Sequence, residues 1–170
     1  TAAASLSAAI GGVGVAVSGA GAGASNLIFS STEAYVLNST LDSAGAVTIS
    51  AENTSTINAI VAATTASIAG GGVGVGVSIG GAVAVNIIEA KSSTDAAGVQ
   101  AYVKNSDITA DGALDLAATA EETIRAAVMA GSVAFAAGGV GVGVSGTGVV
   151  AVNEISADIQ AFIDNANKAI

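Results

Sequence analysis

Three near-identical glycine–valine runs constrain this chain more than any other feature. Gly11-Gly-Val-Gly-Val-Ala-Val-Ser18 returns as Gly71-Gly-Val-Gly-Val-Gly-Val-Ser78, and again as Gly138-Gly-Val-Gly-Val-Gly-Val-Ser145. Eight residues after each serine stands an asparagine: Asn26, Asn86 and Asn153. A second landmark, Ala34-Tyr35-Val36, recurs as Ala101-Tyr102-Val103 and Ala161-Phe162-Ile163, trailed by Asn38, Asn105 and Asn165. Self-similarity of this kind is the mark of stacked architectures, in which each unit buries its faces only against its neighbours.

The first landmark is spaced by 60 and then 67 residues, the second by 67 and then 60. One insertion of about seven residues reconciles the two series, and it falls in the polar stretch 89–98. The chain therefore reads as a single segment, 1–170, cut from a longer array. Its units are a partial copy at 1–33, a copy at 34–100 carrying the insertion, a copy at 101–160 and a partial copy at 161–170.

Within a unit the period is two. Val73, Val75 and Val77 alternate with Gly, Val83 and Val85 with Ala, Val47 and Ile49 with Thr and Ser, and Leu114 and Leu116 with Asp and Ala. Alternation of apolar, mostly β-branched residues with small or polar ones is the strand signature. Turns are expected at Asn38-Ser39, Ser43-Ala-Gly45 and Asp111-Gly112. The Ala-rich runs 58–69 and 117–137 are the ambiguous part: Ala favours helix, while Thr, Ile and bounding Gly favour strand. Strand is the reading adopted for both.

The expected fold is all-β, a parallel β-solenoid. Each unit divides into thirds at 34–53, 54–72 and 73–100 less its insertion, which suggests coils of roughly 20 residues, three per repeat. Stacked at about 4.8 Å, that arrangement separates equivalent asparagines by about 14 Å, so no continuous Asn ladder is expected. Val, Ile and Leu are expected inside, with Gly and Ala easing the turns. The two open sheet ends suggest end-to-end self-association.

Composition then excludes much chemistry. There is no Cys and no His, which removes disulfides, thiolate and imidazole metal sites, Cys nucleophiles and His general bases. Apolar residues reach 52 % and charged ones only 10 %, the opposite of a disordered chain. The net charge is −9, with four cations, Lys91, Lys104, Arg125 and Lys168, so there is no basic patch for nucleic acid or an anionic membrane surface. Stretches 1–32, 53–88 and 126–153 carry no charge and are long enough to span a bilayer. Gly at alternate positions opposes spanning helices, and five aromatics cannot form the girdles of a membrane barrel. No membrane insertion is expected.

The remaining motifs carry little. Gly141-Val-Gly-Val-Ser-Gly146 matches G-x-G-x-x-G, but strand pattern follows it and Ala16 and Ile79 break it in the other copies. Asp107, Asp111 and Asp115 and the pair Glu121-Glu122 lack the alternate-ligand spacing of a calcium loop. Surface calcium stays open as an alternative, a solvated acidic face being the first reading. A sugar-cleaving carboxylate pair needs convergence in a groove, whereas Glu121 and Glu122 fall on opposite faces of a strand. Arg125 is the lone arginine, and the serines have no His to activate them. No catalytic, cofactor or metal residues are assigned. The asparagines at 26, 86, 153, 38, 105 and 165 are read as turn or backbone-bonding residues, and Tyr35, Tyr102 and Phe162 as isolated markers. No Thr-x-Thr array recurs to suggest ice binding.

The succession Gly-Val-Gly-Val-Ser, Ala84-Val-Asn-Ile-Ile88, then Ala101-Tyr-Val-x-Asn-Ser106 resembles the repeats of leukotoxin-type filamentous adhesins and related giant exoproteins of Gram-negative bacteria. The resemblance covers essentially the whole chain. It implies secretion to the cell surface, a parallel β-solenoid stalk and a role in adhesion or cell–cell contact. The partners it implies are flanking repeats of the same chain and host or neighbouring-cell glycans or proteins. It supplies no catalytic residues. Its rivals are a self-associating structural spacer without a ligand, a calcium-stabilised secreted module, and a polysaccharide-acting β-helix enzyme.

Overall fold

A computed structural model describes residues 1–90 and 98–169, so the inserted stretch expected at 89–98 lies, but for its ends, outside the described residues. The described chain is all-β. Its strands are β1 (Ala2–Ser30), β2 (Thr32–Leu37), β3 (Thr40–Ser43), β4 (Val47–Ala90), β5 (Val99–Lys104), β6 (Asp107–Ala110), β7 (Leu114–Ser156), β8 (Ile159–Asp164) and β9 (Asn167–Ala169). Both Ala-rich runs are strand, within β4 and β7. Tertiary pairing overrides the helix preference of alanine there.

Three sheets of three strands are formed, ordered β1-β4-β7, β2-β5-β8 and β3-β6-β9. Pairing is parallel and follows the repeat: Tyr35 lies beside Tyr102 and Tyr102 beside Phe162, while Leu41 lies beside Ile108. Thr109 continues the third sheet beside Ala169. In the first sheet the Thr1 ammonium bonds the Ile60 carbonyl, and the Ala62 amide bonds the Thr1 carbonyl. Each neighbouring strand is therefore one whole repeat away. This corrects the expectation of three 20-residue coils per repeat. The error came from dividing by turn signals, several of which prove to be bends inside one repeat-long circuit. Parallel sheets and long strands of this kind are compatible with a β-solenoid.

The chain resolves into two compact units, and each repeat contributes a segment to both. The first holds 1–26, 57–86 and 124–153, the second 27–56, 87–123 and 154–170.

In the first unit each strand folds back on itself at the Gly-Gly step. Ser78 Oγ donates to Thr65 Oγ1 at 2.7 Å, and Ser18 Oγ to the Ser5 carbonyl at 3.1 Å. Thirteen extended residues would span about 43 Å, so contact requires reversal. Gly71 and Gly138 occupy the bend at φ of +150° and +156°, where L side chains are strained. A Cβ on Gly71 would also run into the Gly11 carbonyl oxygen, and one on Gly138 into that of Gly71. Just past the bend the facing arms approach too closely for any side chain. A Cβ would meet the opposing carbonyl of Ala9 at 2.8 Å from Gly14, and that of Ala136 at 2.9 Å from Gly141.

This inverts the expected interior. In the Gly-Val runs glycine faces in and valine faces out: Gly74 and Gly76 are buried, while Val13, Val15, Val17, Val140, Val142 and Val144 are exposed. The core of this unit is correspondingly slight, built on Ala22, Val61, Ala63, Ala82 and Ala84.

The second unit packs conventionally. Ile49, Ala51, Val99, Ala101, Val103 and Ile108 form its core, with Leu41, Val47, Leu114 and Leu116 against it. Its corners are turned by Asn38, Asn105 and Asn165, at φ of 49°, 49° and 47°. Asn tolerates this left-handed conformation better than any other residue with a side chain. The Ser39 amide bonds Ser106 Oγ of the neighbouring repeat at 3.1 Å, which ties successive corners together.

Candidate functional surface

Parallel in-register pairing stacks each residue on its equivalents, so a feature recurring in the sequence becomes a column. Two asparagine ladders result. In the first, Asn26 Nδ2 donates to Asn86 Oδ1 at 2.8 Å, and Asn86 Nδ2 to Asn153 Oδ1 at 2.8 Å. In the second, Asn165 Nδ2 donates to Asn105 Oδ1 at 2.7 Å. Equivalent asparagines are adjacent, which corrects the expected separation of about 14 Å. Asn86 is completely buried, and its side-chain amide is satisfied through this ladder geometry. The turn-forming role expected for Asn38, Asn105 and Asn165 holds beside it.

The aromatic landmark is likewise a column rather than a set of isolated markers. Tyr35 and Tyr102 stack at 5.2 Å between ring centroids, and Tyr102 and Phe162 at 5.1 Å. These rings face one another along the column, so a sugar ring could reach only the edges of the middle ring. A sugar-binding platform needs an open aromatic face. Burial within the stack, then the neighbouring Glu33 carboxylate, raises the Tyr102 phenol above its ordinary pKa. Lys104 meets Asp164 at 3.4 Å on the same strands, a half-exposed pair of little energetic weight.

The carboxylates do not converge. Asp107 and Asp115 are exposed on β6 and β7, and Asp111 stands at the turn between them. Glu121 faces solvent while Glu122 faces inward, where its Oε1 accepts from Asn53 Nδ2 at 3.1 Å. Asn53 Nδ2 also reaches Ser30 Oγ at 3.0 Å. Among the described residues no three acidic side chains gather closely enough to hold a metal ion. Arg125 lies with Asn58 and Ile60 on an open depression of about 250 Å³ in the first unit, without a carboxylate in its lining. The G-x-G-x-x-G run sits wholly within β7, with Gly141 and Gly143 pressed against the backbone at Ala136 and Ala134. No phosphate could enter there.

Sequence reasoning missed the surface that most distinguishes this molecule. All 13 acidic residues and three of the four cations belong to segments of the second unit, which leaves Arg125 as the one charged side chain of the first. On the outer face of the second arm, valines 13/73/140, 15/75/142 and 17/77/144 form three columns. Val13 is 70 % exposed and Val17 65 %. Equal spacing of Val and Gly gave the clue, since burial of the valines would have left nothing but glycine outside.

Comparison with known proteins finds no matching protein family, and neither a curated protein nor a solved structure similar to this chain. Among the described residues no helix is long and apolar enough to cross a membrane.

Proposed function

We propose that this chain is a parallel β-solenoid segment from the stalk of a giant secreted bacterial surface protein, serving adhesion or cell–cell contact. The observation that carries the reading is the stacking of every landmark on its own equivalent, Asn26 on Asn86 on Asn153 and Tyr35 on Tyr102 on Phe162. Such columns can be lengthened indefinitely by adding repeats, which suits a stalk and gives no reason for a catalytic centre. The sequence resemblance to filamentous adhesin repeats supports surface location and an adhesive role. The test is binding of the chain to a panel of glycans and matrix proteins, with and without residues 89–98. Saturable binding to one of them supports an adhesive stalk, and loss of that binding with the stretch locates the contact. Binding to none removes adhesion from this segment.

A second reading, a structural spacer that associates with its own kind, is favoured by the charge-free valine face of the first unit. A calcium-stabilised module would gain melting temperature with calcium by mass action.

A further inference from the structure

We propose that the outer face of the second arm pairs with the same face of a second copy, related by a two-fold axis parallel to the stacking direction. This deepens the self-associating reading and needs no adhesive ligand.

The face has two halves. One is a ridge of the three valine columns described above. The other is a trough centred on Gly21, Gly81 and Gly148, widened by Gly19, Gly23 and Gly146 and interrupted by Ile79 and Val83 in the middle repeat and by Val150 in the third. The inward glycines 14, 74 and 141 are required by the facing backbone, but the trough glycines are not. A Cβ on Gly21, Gly23, Gly146 or Gly148 would meet nothing within 4 Å, and one on Gly19 or Gly81 nothing closer than 3.9 Å. Glycine weakens a strand interior, and where it persists it marks close approach by another surface. Among the described residues nothing makes that approach. A two-fold axis along the stacking direction carries each valine column across to the glycine side, so the ridge of each copy lies in the trough of the other.

Size and charge agree with this occupant. The arm from Val73 to Asn86 is 14 residues, about 46 Å, and three repeats at about 4.8 Å make a face of about 650 Å². Two such faces bury about 1,300 Å², within the range of stable, specific interfaces. The face bears no charged side chain, so two copies meet without like-charge repulsion.

The test is sedimentation equilibrium on the whole chain and on Gly81→Val/Gly148→Val, which fills the trough in space the chain leaves empty. The wild type is expected to dimerise, and the double variant to weaken that dimer by at least 10-fold with unchanged circular dichroism. Because the chain has no cysteine, Val77→Cys provides a second reading: a short bis-maleimide should cross-link it as a dimer, while Ile68→Cys on the opposite outer face should not be cross-linked. A wild type that stays monomeric, a dimer indifferent to the filled trough, or flotation of the chain with neutral phosphatidylcholine vesicles would each overturn the proposal. Those outcomes leave the stalk reading standing, since it rests on the stacked columns and on ligand binding.

Discussion

The two units are made from alternating segments of the same repeats, yet they use the alternation of side chains in opposite senses. In the second unit Ile49, Val99, Val103 and Ile108 face inward and Glu33, Asp42 and Asp107 face solvent. In the Gly-Val runs of the first unit the interior is Gly, Ala and Ser, and valine faces out. What separates them is the distance between facing backbones. At the first inward position past the Gly-Gly bend the arms leave no room for a side chain, so a strict period of two turns the valines of that run outward. A hydrophobic pattern therefore fixes which residues share a face, and the volume available decides which face is the inside.

The sharpest way to break this comparison is at the bend. Gly71→Val combines a φ of +150° with a collision against the Gly11 carbonyl oxygen, and is expected to destabilise by on the order of 4 kcal/mol. Gly148→Ala, facing open space, should leave stability unchanged or raise it by a few tenths of a kcal/mol. Urea unfolding of both variants measures the contrast. The next largest effect separates the interiors. Ile108→Ala empties the core of the second unit at about 3 kcal/mol, while Val15→Ala, 58 % exposed, should stay within about 0.5 kcal/mol.

A smaller effect falls on the asparagine ladder of the first unit. Asn86→Ala removes two side-chain hydrogen bonds and orphans their partners, and is expected to cost about 2 kcal/mol in the same assay. The smallest is a pH effect in the second unit. The Tyr102 phenol is raised in the folded state by burial and by Glu33, so the folded form holds the proton more tightly than the unfolded one. Its contribution is fully present below the ordinary tyrosine value of about 10 and is lost as pH rises past it. Tyr102→Phe should flatten that alkaline decline, read as melting temperature between roughly pH 9 and 11.

Much of this was legible in the sequence. The all-β class, the strand character of 58–69 and 117–137, and the turns at Asn38, Gly45 and Asp111-Gly112 follow from period-two patterning and turn chemistry. The unit of stacking was not, because turn signals mark bends within a circuit as readily as boundaries between coils. Asn26, Asn86 and Asn153 held the answer: identical polar residues recurring at one repeat length find their best partners in each other when directly stacked. The outward valines were illegible for another reason, since whether glycine or valine faces in depends on an inter-arm distance that no local pattern records.

The central claim is that one whole repeat separates neighbouring strands. It is tested most directly by a pair of nitroxide labels at Asp42 and Thr109, paired on β3 and β6 and both facing solvent. In-register stacking predicts backbones one strand spacing apart, about 4.8 Å, and a spectrum dominated by strong spin–spin broadening. A separation of about 14 Å, the height of three stacked coils, would contradict it and restore the 20-residue coil.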